Sequence, residues 1–160
     1  MAVRERRRKA GAANSGAAVN GAARGYVLED QVGFILRRAH QHATETFNGV
    51  MDGFELTPPQ FAALAKLDDL GPTSQNQLGR LVGMDPATMF GVAGRLAKRN
   101  LVRQSVDPAD ARRVILQLTD EGHARVEAMK ARGGEVSART LAPLTREEAE
   151  MLCRLLRKIT

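Results

Sequence analysis

The stretch D-P-A-T-M-F-G-V-A-G-R-L-A-K-R-N-L-V-R-Q-S-V-D-P-A-D-A-R-R-V-I-L-Q-L-T, residues 85–119, decides how the chain is built. Asp85 before Pro86 is a helix start, a capping carboxylate followed by a residue with no N–H to leave unpaired. Met89, Val92, Ala93 and Leu96 recur at three- and four-residue steps, which marks the core face of a helix reaching about Arg99. Asn100 suits a left-handed terminator. Residues 102–105 and 114–118 then alternate, with β-branched Val102, Val114 and Ile115, and Asp107-Pro108 and Asp110 supply the turn between them. A helix, a short break and a hairpin with Arg112 near its tip are the parts, in order, of a winged helix-turn-helix. They imply binding to double-stranded DNA.

Upstream of this stretch, Thr57-Pro58-Pro59-Gln60 reads as a capping box with proline at the first helical position, for a helix ending at Gly71-Pro72. Ser74-Gln75-Asn76-Gln77 repeats the box for a short helix to about Val82. Before these, apolar residues from Val27 to Met51 recur at helical spacing, and one long amphipathic helix is expected over 26–51. Downstream, Thr119 caps a helix opening on Asp120-Glu121, where acids favour the dipole, and Gly133-Gly134 predicts a bend in it. Thr145-Arg146-Glu147-Glu148 is a last capping box, followed by a stripe of Ala149, Leu152, Leu155, Leu156 and Ile159. The fold class is mainly α with a small β-hairpin: a winged helix-turn-helix over 57–119, with flanking helices in 26–52 and 120–160.

Those flanking helices have apolar faces and no obvious partner within a winged domain. Packing against the same helices of a second copy gives a two-fold dimer able to span two half-sites; pairing with each other inside one subunit is the competing arrangement. The dimer is the favoured expectation.

The formal charge of +6 is unevenly spread. Residues 1–24 hold six Lys or Arg against Glu5, and 57–119 hold eight against five acids. Residues 1–25, rich in Ala, Gly and Asn, contain too little apolar surface to offset chain entropy and are expected to be a disordered basic arm. Its Arg4 to Lys9 run either touches phosphate or simply solubilises the chain. No stretch is apolar enough to span a bilayer, and the arm is too polar for a signal peptide, so a cytoplasmic location with no membrane partner is expected. Cys153 is the single cysteine, which rules out an intrachain disulfide.

On the 86–99 helix, the face opposite the core offers Ala87, Thr88, Gly91, Arg95 and Lys98. Small residues let the backbone approach base edges, and the Ala87 methyl and Thr88 hydroxyl can meet thymine, a base or a phosphate. No charged side chain occurs from Pro86 to Gly94, so specificity rests on shape, methyl contacts, Arg95 and the wing. Arg112 and Arg113 suit a narrow minor groove, with Asp110 placed to hold Arg112 extended. Read blandly, they are solvated turn charges. Ser74 and Gln75, opening the preceding helix, join the candidate DNA contacts.

These motifs resemble the multiple antibiotic resistance regulator (MarR) family of dimeric bacterial transcription factors over about residues 26–160. The most specific part is D-x-R, five residues, then L-T: Asp110, Arg112, Leu118 and Thr119. Residues 85–102 are similar to the family's recognition helix and its exit into the wing, with Asn100 where glycine is usual. The resemblance implies repression by operator occupancy and release by a small ligand. It implies Arg112 in the minor groove, Asp110 orienting it, and Pro86, Ala87, Thr88, Gly91 and Arg95 facing the major groove. Y-V-L-E-D-Q-V-G-F-I-L-R-R-A-H-Q-H, residues 26–42, resembles the branch controlling aromatic-acid catabolism. An aromatic acid or its coenzyme A thioester is the implied effector, with Arg37, Arg38, His40 and His42 as candidate anion contacts. The alternative for these four is solvated helix charges and interface hydrogen bonds.

No P-loop, G-x-S-x-G elbow or Ser-His constellation is present, and neither an enzyme nor a cofactor is expected. His40 and His42, about 200° apart on a helix, do not chelate one metal together. Cys153, between Leu152 and Leu155, reads as a packing residue. The competing function is a winged-helix module for protein interaction or non-specific DNA coating, suggested by the uncharged recognition helix.

Overall fold

The computed structural model describes residues 25–160. The expected arm over 1–25 therefore lies, apart from Gly25, outside the described residues. The chain divides into two units at Leu36/Arg37, and of the first only residues 25–36 are described. The described part of the first unit holds a single 3-10 turn, Leu28–Asp30, and the opening of helix α1, Val32–Val50. The expected helix from 26 thus starts six residues late. Gln31 is extended (φ −79°, ψ 128°), and its side-chain amide donates to the Val27 carbonyl at 2.8 Å, which closes off the turn and separates it from α1.

In the second unit, α2 (Pro58–Leu70) starts at the expected box: Thr57 N–H donates to Gln60 Oε1 at 2.9 Å. It ends at Gly71, whose φ of +74° is a conformation side chains disfavour. A two-residue strand β1, Thr73–Ser74, follows, and then α3 (Gln75–Leu81). Here the expected capping box does not form. Ser74 makes no side-chain cap and is buried in β1, paired with Ile115, because the sheet takes the backbone that the cap would have used. Helix α4, Pro86–Lys98, is capped by Asp85 as its sequence dictates, with Thr88 N–H donating to Asp85 Oδ1 at 2.9 Å.

The hairpin is longer than expected. Strands β2 (Val102–Asp107) and β3 (Asp110–Leu118) leave only Pro108 and Ala109 as the turn, where Asp107 Oδ1 accepts from Ala109 N–H. The sheet is antiparallel with order β1-β3-β2, and pairs Val102 with Leu118 and Thr73 with Leu116. The third strand was not expected: two residues are too few to show alternation.

Asn100, at φ 56°, is the left-handed residue that ends α4. Beyond it the wing is fastened to α5, Asp120–Thr140, by Thr119: its hydroxyl donates to the Asn100 carbonyl at 2.6 Å and accepts from Gly122 N–H at 3.0 Å. A Cβ on Gly122 would sit 2.0 Å from the Leu101 carbonyl oxygen, so only glycine permits this approach. Where the sequence suggests a bend or soft joint, α5 is helical without interruption through Gly133 and Gly134. The packing of Val126 and Met129 on one side and Val136 on the other holds the helix across the pair. Helix α6, Arg146–Leu156, begins at the Thr145/Glu148 box, where Thr145 N–H donates to Glu148 Oε2.

One core unites α2 to α5 and the sheet: Leu64 and Leu67 of α2, Leu78 of α3, Met89, Val92 and Leu96 of α4, Leu116 of β3, and Val126 and Met129 of α5. Burying each large aliphatic contributes about 1.5–3 kcal/mol, which is why the recognition elements are rigid without a disulfide. Two polar ties add direction. Lys130 Nζ bridges Asp68 (2.7 Å) and Asp69 (2.8 Å), while His123 Nδ1 lies 3.0 Å from Asp68. Arg99, at the end of α4, donates to the carbonyls of Phe54 and Glu55, pinning the turn before α2.

Candidate nucleic-acid interface

Three elements meet to form one surface: α3, α4 and the β2–β3 wing. The α3–α4 turn is tight because Met84 N–H donates to the Gly79 carbonyl at 2.8 Å and Gly83 adopts a φ of +68°. A Cβ on Gly79 would meet Met84 and Met89 at 3.2–3.3 Å, so this small residue sets how closely the helices cross. With Met89, Val92, Ala93 and Leu96 buried, α4 turns Pro86, Ala87, Thr88, Arg95 and Lys98 to solvent, with Gly91 half-buried. Arg95 does not stand away from the helix. It folds back over Gly91, where a Cβ would lie 3.3 Å from its Nη1.

Thr88 contributes its N–H and hydroxyl to Asp85, the hydroxyl at 2.6 Å. That hydroxyl, then the N–H, holds the Asp85 carboxyl below the usual carboxylate range. The hydroxyl that sequence reading offered to DNA is therefore already a cap ligand, with its methyl and lone pairs left to face outward.

On the wing, Asp110 Oδ1 accepts from Arg112 N–H (3.1 Å) and from Arg112 Nε (3.2 Å). The backbone bond, then the guanidinium, lowers the Asp110 carboxyl from its ordinary value. The Arg112 side chain is nonetheless 91 % exposed, so its outer guanidinium nitrogens are presented while its stem is fixed. Arg113 behaves differently: its Nε lies 3.7 Å from Asp107 Oδ2, at the end of β2. Ser74, Gln75, Asn76, Arg112, Arg113 and Val114 together line a cleft of about 90 Å³ between α3 and β3. Ser74 is only 7 % exposed, while Gln75 is half-buried.

Sequence reasoning missed Phe90. It is 72 % exposed on α4, beside the small residues already singled out. The signal was a phenylalanine about 100° off an otherwise complete buried stripe. Arg37, Arg38, His40 and His42 lie on exposed turns of α1 and line none of the cavities near the wing, α3, α4 or α6. Among the described residues no group of three or more His, Cys, Asp or Glu is placed to hold a metal ion, and no helix is long and apolar enough to cross a membrane.

The MarR family model matches residues 56–114, from the residue before the α2 cap into β3. The transcriptional repressor NicR of Pseudomonas putida is 38% identical over 134 residues, covering 84% of this chain and 85% of that protein. The chain belongs to the MarR family. Its fold agrees: a probable transcriptional regulator from Pseudomonas aeruginosa, 46% identical, superposes with a TM-score of 0.79 over 84% of this chain and all of that one. Bordetella bronchiseptica BpsR, whose DNA binding is regulated by 6-hydroxynicotinic acid, is 36% identical with the same TM-score over 84% of this chain and 96% of its own. As a MarR-family member this protein is a winged-helix transcriptional regulator, and the family model's match takes in α2, α3, α4, β2 and the start of β3.

Proposed function

We propose that the protein is a cytoplasmic homodimeric repressor that occupies a palindromic operator and leaves it on binding a small aromatic acid or its coenzyme A thioester, with no catalytic step. The observation that carries the DNA half is the wing: Arg112, fastened at its stem by Asp110 and exposed beyond it, beside a recognition helix of small residues. In this reading Arg112 enters the minor groove, attracted by its negative potential. Pro86, Ala87, Thr88, Gly91 and Arg95 face the major groove. Gln75, Lys98 and Arg113 lie toward phosphates, Ser74 being withdrawn into β1, and Arg95 swings off Gly91 to do its work. Cationic contacts of this kind release counterions and make binding salt-dependent.

The dimer half rests on exposed apolar side chains at both ends of the described chain. Val32, Ile35 and Leu36 on α1 are exposed, as are Met151, Leu152, Leu155 and Ile159 in and after α6. A second copy covers them and sets two recognition helices about 34 Å apart, one turn of B-DNA. An effector shifts that spacing only through unequal affinity for the two arrangements. BpsR and its 6-hydroxynicotinic acid support an aromatic acid as the effector class. Arg37, Arg38, His40 and His42 are the proposed anion contacts. The Gly71-Pro72 turn, with Gly71 at φ +74°, and Gly133-Gly134 within α5 are the proposed places to yield.

Nuclease protection of DNA beside the protein's own gene tests this directly. A protected palindrome lost on adding aromatic acids or their thioesters is expected. Protection of no sequence at physiological salt overturns it.

A further inference from the structure

Phe90 is the large apolar side chain of α4 that the core does not use. Its neighbours one turn away on the same helix are Pro86, Ala87 and Gly94, none of which carries a polar side chain. Nothing lies within 4 Å of a Cβ built at Gly94. The phenyl ring therefore rises from a low floor, with the aliphatic stem and charge of Arg95 displaced to the other edge of the helix over Gly91. A ring left this exposed gives back most of the stabilisation that burial would have provided. Folding does not account for it.

The occupant of this surface is identified by its surroundings. Arg95 and Lys98 on the same helix give this surface positive charge, which fits a polyanion and not the apolar α6 face of a second copy. In the major groove a phenyl ring has no donor or acceptor to match. The apolar group offered there is the C5-methyl of thymine.

We propose that Phe90 reads a thymine C5-methyl in each half-site, the apolar half of a readout whose cationic half is Arg95 and Arg112. This rests on the DNA-binding function above. It follows that uracil, which lacks the methyl, is rejected at that position, and that 5-methylcytosine, which carries it, is tolerated better than cytosine.

The test uses the full chain and the duplex it selects from a random pool, with each thymine in turn replaced by uracil. Wild-type binding falls roughly fourfold at one position per half-site, the worth of one buried methyl. Phe90→Ala binds that duplex more weakly and is indifferent to uracil there, while Phe90→Leu retains part of the discrimination. Because the residue is exposed, both variants keep the wild-type melting temperature. Equal uracil losses for wild type and Phe90→Ala at every position, or no uracil effect on wild type, overturn the assignment to Phe90 alone. A pool that yields no preferred sequence overturns the DNA-reading function itself.

Discussion

Arg112 and Asp110 illustrate how a residue's role is divided between fixing and presenting. The Asp110 carboxylate takes both the N–H and the Nε of Arg112, leaving the rest of the guanidinium outward. Its pKa is lowered, so this contribution to wing order is present above the unfolded carboxylate value and is lost as pH falls through the folded value. Arg112→Ala is expected to weaken operator binding by at least tenfold with melting temperature and oligomeric state unchanged; unaltered affinity in a gel-shift titration means that the hairpin is not a working wing. Gly122 is the opposite type of residue, wholly structural. With Leu101 O only 2.0 Å from its would-be Cβ, Gly122→Ala forces the wing base from α5 and is expected to cost about 1–3 kcal/mol in urea denaturation. The D-x-R pair was legible in the sequence because its spacing is local. Phe90 was not, because the exposure of an apolar residue at the edge of a buried stripe depends on how α4 docks.

At the scale of elements, caps were legible and exceptions came from tertiary competition. Thr57, Asp85, Thr119 and Thr145 each start a helix where a local signal says so. Ser74 carries the same signal but is drawn into β1, and pairing across 41 residues leaves no trace in the local sequence. Gly133 and Gly134 likewise look like a break, yet packing at Val126, Met129 and Val136 outweighs their poor propensity. Both have open space where a Cβ would go. Gly133→Ala and Gly134→Ala are therefore each expected to stabilise the protein by about 0.4–1 kcal/mol; destabilisation by either would reveal a partner packed against that stretch of α5. The α2–α5 tie supplies a pH test. Lys130, chiefly through its bond to Asp68, holds the Asp68 carboxyl low, and Asp68, then Asp69, raises the Lys130 ammonium. The carboxylate's share is lost as pH falls through its lowered value, and the ammonium's as pH rises through its raised one. The tie is thus complete between the unfolded values of about 3.9 and 10.4. Lys130→Met should cost no more than about 1 kcal/mol between those limits, with the difference from wild type shrinking below the lower limit in an acid denaturation series and above the upper limit in an alkaline one.

For the whole molecule the question is what the exposed apolar residues of α6 are for. Leu144, Glu147, Glu148, Met151, Leu152 and Leu155 line a shallow groove of about 450 Å³. If a second copy fills it, Leu155→Glu yields monomers by sedimentation and loses operator affinity although Leu155 is outside the recognition surface. A monodisperse dimer with full affinity would place the interface elsewhere. Apolar stripes at both chain ends are legible in the sequence and carry the dimer proposal, and the family resemblance carries the aromatic-acid class of effector; the contacts proposed at Arg37, Arg38, His40 and His42 depend on what surrounds them in an assembly, which local sequence does not encode.

The central claim, that one folded surface reads DNA sequence, is tested most directly by measuring wild-type affinity for its selected palindrome and for a scrambled duplex over a range of salt concentrations. A sequence-reading dimer binds the palindrome about 10³-fold or more tightly at physiological salt, and keeps a preference as salt rises. Equal affinities with the same salt slope contradict it.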